Sequence, residues 1–228
     1  MSRVWDRTPK EKASSLRPFG GEILPIEQRD CEYFLKRYEL DVSVSSRYIK
    51  LAPASNRYAL PVIAPEGWVR GMVLRKPWPK APREAIEPIY WVKGEPLPFD
   101  LPKADTYMSR YEPVQSFYRA EFGEHASLVI VEDQLSAIKL ANHGYDSAAI
   151  LGTPYSKGGG FQFSDRVAEL ARVANGREVV IAFDADATDA AFEFAKKWGP
   201  SFRRSHVAIM DRDIKDTPST EFREVLGV

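Results

Sequence analysis

One cysteine and three histidines in 228 residues remove several kinds of chemistry at once. Cys31 alone cannot build a disulfide framework or a cysteine-rich zinc centre, and His125, His143 and His206 stand nowhere at ligand spacing. No run approaches the roughly 20 apolar residues of a membrane span. The N-terminus MSRVWDRTPKEKASS lacks the apolar core of a signal peptide. An intracellular, soluble, cytoplasmic protein with no membrane partner is expected. There is no net charge either, with 32 basic against 32 acidic side chains, so overall charge says nothing of a polyanionic partner. The loop SKGGG (156–160) lacks the GxxxxGK[ST] signature and is no P-loop. Ser136 and Ser156 lack the His–Asp arrangement of a nucleophile.

What is present is unevenly distributed. Residues 1–127 carry 20 basic and 17 acidic side chains, and 128–228 carry 12 and 15. Residues 1–20 read as a basic, flexible arm. A helix is expected over 26–38, where Ile26, Cys31, Phe34 and Leu35 recur near helical spacing. RYALPVIA (57–64), the turn PEG and WVRGMVLR (68–75) read as a β-hairpin, and PIYWVK (88–93) as a further strand. Seven prolines between 77 and 102 imply extended loop, because proline lacks the backbone donor. Residues 104–123 look like a helical connection.

From 128 the pattern becomes a regular βα alternation. Strands are expected at 128–132, 147–152, 178–184 and 206–210, and helices at 134–144, 165–174, 188–199 and near 219–226. Successive units of this kind argue a parallel sheet covered by helices. Acids close three of the strands: Glu132 ends LVIVE, Asp184 and Asp186 end VVIAFDAD, and Asp211, Asp213 and Asp216 follow HVAIM. The carboxyl ends of parallel strands share one edge, where ligands bind. Such a cluster repels itself unless a divalent cation neutralises it, and carboxylate oxygens are the ligands that Mg²⁺ prefers. The pattern points to metal-assisted phosphoryl transfer.

The Glu of VIVEDQLSAIKLANHG followed by the DxD of IAFDADATDAAFEFAKKWG resembles the TOPRIM domain shared by bacterial (DnaG-type) primases, topoisomerases and several nucleases. The resemblance covers residues 127–228, and DRDIKDTP resembles the further acidic stretch of the primase version. One motif departs from the family. Where it reads EGxxD, this chain reads EDQLS, so Ser136 stands in place of an acid and it is open whether Asp133 substitutes. In the front half, RYALPVIAPEGWVRGMVLRK followed by PIYWVKG resembles the N-terminal subdomain of the primase polymerase core.

The resemblance implies an α/β fold. A C-terminal TOPRIM domain (124–228), Rossmann-like with a parallel sheet between two helical layers, follows a smaller mixed α+β subdomain (21–123). It implies a primase catalytic core that makes short RNA on a single-stranded DNA template from ribonucleoside triphosphates, by two-metal-type nucleotidyl transfer with Mg²⁺ or Mn²⁺. Glu132, Asp184 and Asp186 would be catalytic and bind metal, with Asp213 and Asp216 behind them. Arg57, Arg70, Arg75, Lys76 and Lys93 would contact nucleic acid or nucleotide, with Trp68, Trp78, Tyr90 and Trp91 as stacking surfaces. With one cysteine and no P-loop, a phage-encoded core lacking zinc-binding and helicase modules is expected, with a replicative helicase as a candidate partner. Two alternatives stand beside it: a TOPRIM nuclease using the same carboxylates, and an inactive nucleic-acid-binding accessory protein.

Overall fold

The computed structural model describes residues 20–53, 57–75, 104–108, 115–120, 127–151 and 160–228. The chain divides into two compact units. The first takes its described residues from 20–25, 49–62, 69–75 and 104–108, and the second from 26–48, 63–68 and 115–228.

The first unit is an antiparallel sheet. Its strands are β1 (Leu24–Pro25), β2 (Lys50–Ala52), β3 (Arg57–Ile63), β4 (Val69–Arg75) and β5 (Ala104–Met108), in spatial order β1-β2-β3-β4-β5. Leu51 stands opposite Tyr58, and Met72 opposite Tyr107. Tyr58, Ala59, Leu60 and Val62 are all buried, so β3 is covered on both faces. The β3–β4 turn forms where the PEG tripeptide requires it. Gly67 adopts φ 94°, a conformation that favours glycine, and donates to Ala64 O at 2.9 Å, while Ala64 N donates to Trp68 O at 2.9 Å.

The second unit holds a mixed sheet of β6 (Ser116–Tyr118), β7 (Ser127–Val131), β8 (Asp146–Ala149), β9 (Glu178–Ile181) and β10 (Arg204–Val207), in the order β10-β9-β7-β8-β6. Four strands run parallel, and β6 closes one edge antiparallel to β8. Six helices are described: α1 (Gln28–Tyr38), α2 (Val42–Tyr48), α3 (Gln134–Asn142), α4 (Gly160–Ala174), α5 (Thr188–Trp198) and α6 (Phe222–Leu226). Side chains alternate along a strand, so the runs LVIV and VVI feed two faces. Leu128, Ile130, Val179 and Ile181 pack with Val167 and Leu170 of α4 and with Ala191 and Phe194 of α5. Val129 and Val131 are fully buried on the opposite face, and α3 packs on β7 and β8. The fold class expected from the sequence is the one observed.

Residues 104–108 and 116–118 are strands rather than parts of a helical connection. Cross-strand pairing to β4 and β8 overrides the loose helical spacing of their aromatics. The expected strand at 88–93 lies outside the described residues. No described helix is long and apolar enough to cross a membrane.

Candidate functional site

Parallel register carries the three acidic strand ends to one edge of the sheet in the second unit. The ladder runs almost to the acids: Leu151 N donates to Glu132 O at 3.0 Å, Ala182 N to Ile130 O at 2.9 Å and Ala208 N to Ile181 O at 2.9 Å. Glu132 follows β7, Asp184 follows β9 after buried Ala182 and Phe183, and Asp213 opens a single turn of 3-10 helix (Ile214–Asp216) beyond β10.

Lys215 stands among them. Its Nζ lies 2.5 Å from Asp213 Oδ2, 2.9 Å from Asp133 Oδ2 and 3.6 Å from Asp184 Oδ2, and its side chain is 12% exposed. Burial disfavours its charge, yet Asp133, Asp213 and Asp184 outweigh that and hold the ammonium well above the usual lysine range. Asp213 is half-buried, which raises its carboxyl, but Lys215 and a 3.2 Å hydrogen bond from Ala185 N keep it below its ordinary value. Asp184 is pushed up to about 6 by burial, against the pull of Lys215, with Asp133, Asp213 and Asp186 adding to the rise. Glu132 is pushed up to about 7 by burial and by Asp184, Asp186, Asp133 and Asp213, and its Oε1 is buried with no hydrogen-bond partner.

Asp133 answers part of the EDQLS departure. It is the N-cap of α3, with Oδ1 accepting from Leu135 N at 2.8 Å and from Ser136 N at 3.2 Å. Ser136 Oγ donates to Oδ2 of the same carboxylate at 3.2 Å. A negative cap at a helix N-terminus is favourable, and this one also faces Lys215. Asp216 is drawn the other way, into an ion pair with Arg37 at the end of α1. Asp186 is exposed.

The 215–219 segment is held by groups with no evident motif. Lys139 of α3, its side chain 3% exposed, donates to Thr217 O at 2.6 Å and to Lys215 O at 3.4 Å and pairs with Glu39 at 3.1 Å. Glu39 also accepts from Ser219 N at 2.8 Å. Asn142 and His143 bind the backbone of the α1–α2 corner, at Asp41 N and at Glu39 O. Of these groups only Lys215 left a trace in the sequence, as one of two cations, with Arg212, inside DRDIKD.

Of the residues expected to touch nucleic acid, Arg57 and Arg70 are buried at 2% exposure in the first unit. Arg57 Nη1 donates to Leu74 O at 3.2 Å, satisfying backbone on the neighbouring strand. Arg75 is half-buried at the end of β4, and Trp68 is 47% exposed. Lys76, Lys93, Trp78, Tyr90 and Trp91 lie outside the described residues.

Among the described residues no three acidic, histidine or cysteine side chains converge closely enough to cage one metal ion. The donor set nevertheless fits a divalent cation. The candidate ligands are hard carboxylates, and the orphaned Glu132 Oε1 sits amid like charges that a cation would relieve. Mg²⁺ at phosphoryl-transfer sites keeps several waters and takes only one or two carboxylates before substrate phosphates complete its shell.

This architecture is the fold of DnaG primase catalytic cores. Against the E. coli primase catalytic core the TM-score is 0.57 at 16% identity, covering 87% of this chain and 71% of that one. A DnaG primase catalytic domain bound to single-stranded DNA gives 0.53 at 16% identity, over 85% and 67% of the two chains. For the zinc-binding and RNA polymerase domains of the Aquifex aeolicus primase the TM-score is 0.55 at 15% identity, with 90% of this chain covering half (50%) of that one. No family profile matches the sequence, and no curated protein does.

Proposed function

We propose that this chain is a primase-type nucleotidyltransferase core, joining ribonucleotides into short RNA on single-stranded DNA with Mg²⁺ or Mn²⁺. The observation that carries the reading is the meeting of Glu132, Asp184 and Asp213 at one edge of a parallel sheet whose fold is that of primase cores. One or two carboxylates from the set Glu132, Asp184 and Asp186 would hold the divalent ion, with Asp213 and Asp216 already engaged by Lys215 and Arg37. Once bound, the ion would offset the charge that develops on triphosphate oxygens.

The chain's own contributions are positional. Asp133 and the β7 ladder fix the backbone on either side of Glu132, so its unpartnered oxygen has a set place beside Asp184. The Lys139–Glu39 pair fixes the carbonyls of the 215–217 turn and with them the approach of Lys215. Pre-set charge of this kind costs no reorganisation during reaction. Single-stranded template is the proposed partner, with Arg75, Lys76 and Lys93 as phosphate contacts and Trp68 as a stacking face. Arg57 and Arg70 serve the first unit's interior instead.

The test incubates the protein with single-stranded DNA, labelled ribonucleoside triphosphates and Mg²⁺ or Mn²⁺, beside an Asp184→Ala/Asp186→Ala control. Short labelled RNA that vanishes in the control supports the proposal. Metal-dependent cutting of the DNA without RNA synthesis would replace it with a nuclease.

A further inference from the structure

We propose, building on the primase reading, that Lys215 is the built-in second cation of this site. Its ammonium holds the Asp133, Asp184 and Asp213 side, and a single divalent ion is confined to the side of Glu132, Asp184 and Asp186.

The geometry of Lys215 carries the proposal. An ammonium offers three donors, and here three carboxylates from three different strand ends lie at 2.5, 2.9 and 3.6 Å. The group is enclosed rather than draped over the surface, at 12% exposure, and its backbone is anchored. Ile214 beside it is buried, and Lys139 binds the carbonyls of Lys215 and Thr217. Two of the carboxylates are fixed from behind as well. Asp133 caps α3 through Oδ1, and Asp213 Oδ1 accepts from Ala185 N. A divalent ion placed on this side would meet a positive charge at hydrogen-bond distance from the oxygens of Asp133 and Asp213. The opposite side differs: Glu132 presents a buried oxygen with no partner, and Asp186 is exposed to solvent. One side of the cluster is neutralised by the chain itself, and the other keeps Glu132 and Asp186 without a cationic partner among the described residues.

A lysine serving only as a loop latch would leave metal stoichiometry unchanged, so stoichiometry separates the two roles. Bound Mn²⁺ is counted by electron paramagnetic resonance on the full chain, for the parent, Lys215→Arg and Lys215→Met, with circular dichroism to confirm folding. The expected result is about one ion for the parent and for Lys215→Arg, and about two for Lys215→Met, because the vacated oxygens are Mg²⁺-type ligands. The Met variant should also melt lower in chelator and recover with Mn²⁺. Two ions of comparable affinity on the parent, or one ion on a folded Met variant, would overturn the role of Lys215. Should the Met variant not fold, Lys215→Gln takes its place: about two ions support the proposal and one overturns it. No Mn²⁺ on any of the three would overturn the metal-dependent reading beneath it, which is a separate failure visible also as absent RNA synthesis.

Discussion

In the antiparallel unit the charged residues of interest, Arg57 and Arg70, lie within strands and are shut away from solvent. In the parallel unit Glu132 and Asp184 stand past strand ends, and their charges stay only partly compensated. The first arrangement is an interior whose polar groups are satisfied locally, as the Arg57–Leu74 hydrogen bond illustrates. The second keeps carboxylates crowded at a cost in stability, which a fold retains where charge is needed for chemistry. Changes at the two kinds of position should therefore separate activity from stability.

The largest effect is expected at Asp184. Asp184→Asn should lower primer synthesis by about 10²–10³-fold, as losing one preorganised electrostatic group does elsewhere. Its unfolding free energy in urea should stay within about 1 kcal/mol of the parent, because a destabilising charge is removed. An equal loss of stability and activity would break the contrast. Arg57→Ala should do the reverse, costing about 3 kcal/mol in urea unfolding by removing a buried, hydrogen-bonded guanidinium. Arg57→Met should cost less, since an apolar side chain of similar reach refills the space.

A pH series with chelator sharpens the contrast further. Glu132 moves from an ordinary 4.5 to about 7 and Asp184 from 3.8 to about 6, so the folded state binds their protons more tightly than the unfolded chain. Their contribution to stability is full below the ordinary values and is lost as pH rises through about 6 and then about 7. Melting temperature in chelator should fall across that window, and Mg²⁺ should flatten the fall. A metal-independent profile would show that no cation relieves these groups. The smallest stability effect is expected at Trp68 in the β3–β4 turn. Trp68→Ala should leave unfolding within about 0.5 kcal/mol of the parent. It should weaken single-stranded DNA binding, read by fluorescence anisotropy, by about 1 kcal/mol, at the low end of base–aromatic stacking.

The parallel unit was readable because a buried strand is a continuous apolar run and its end is marked by the first acid. Glu132 and Asp184 could thus be set at one edge from the βα rhythm alone. Lys215 is not legible as a site residue because its partner Asp133 lies 82 residues away, where local pattern carries no information. Glu39 and Lys139 are hidden for the same reason. Arg57 and Arg70 have a different cause. A charge within a strand ordinarily marks a solvent face, and the packing around β3 and β4, which local pattern does not carry, changes that reading. Residues 104–123 read as a helical connection, and pairing partners distant in sequence decide for strands at 104–108 and 116–118.

The corner where Glu39 meets Ser219 also has a history in time. The two residues are 180 positions apart, and Arg37 and Asp216 are 179 apart. At ribosomal rates of about 5–20 residues per second, roughly 10–40 s separate their synthesis. Throughout that interval the α1–α2 pair has been made and the turn that pins it has not. High sequence separation of this kind slows folding and prolongs exposure of unpaired apolar surface. The parallel unit is thus among the first parts of the chain to be started and among the last to close.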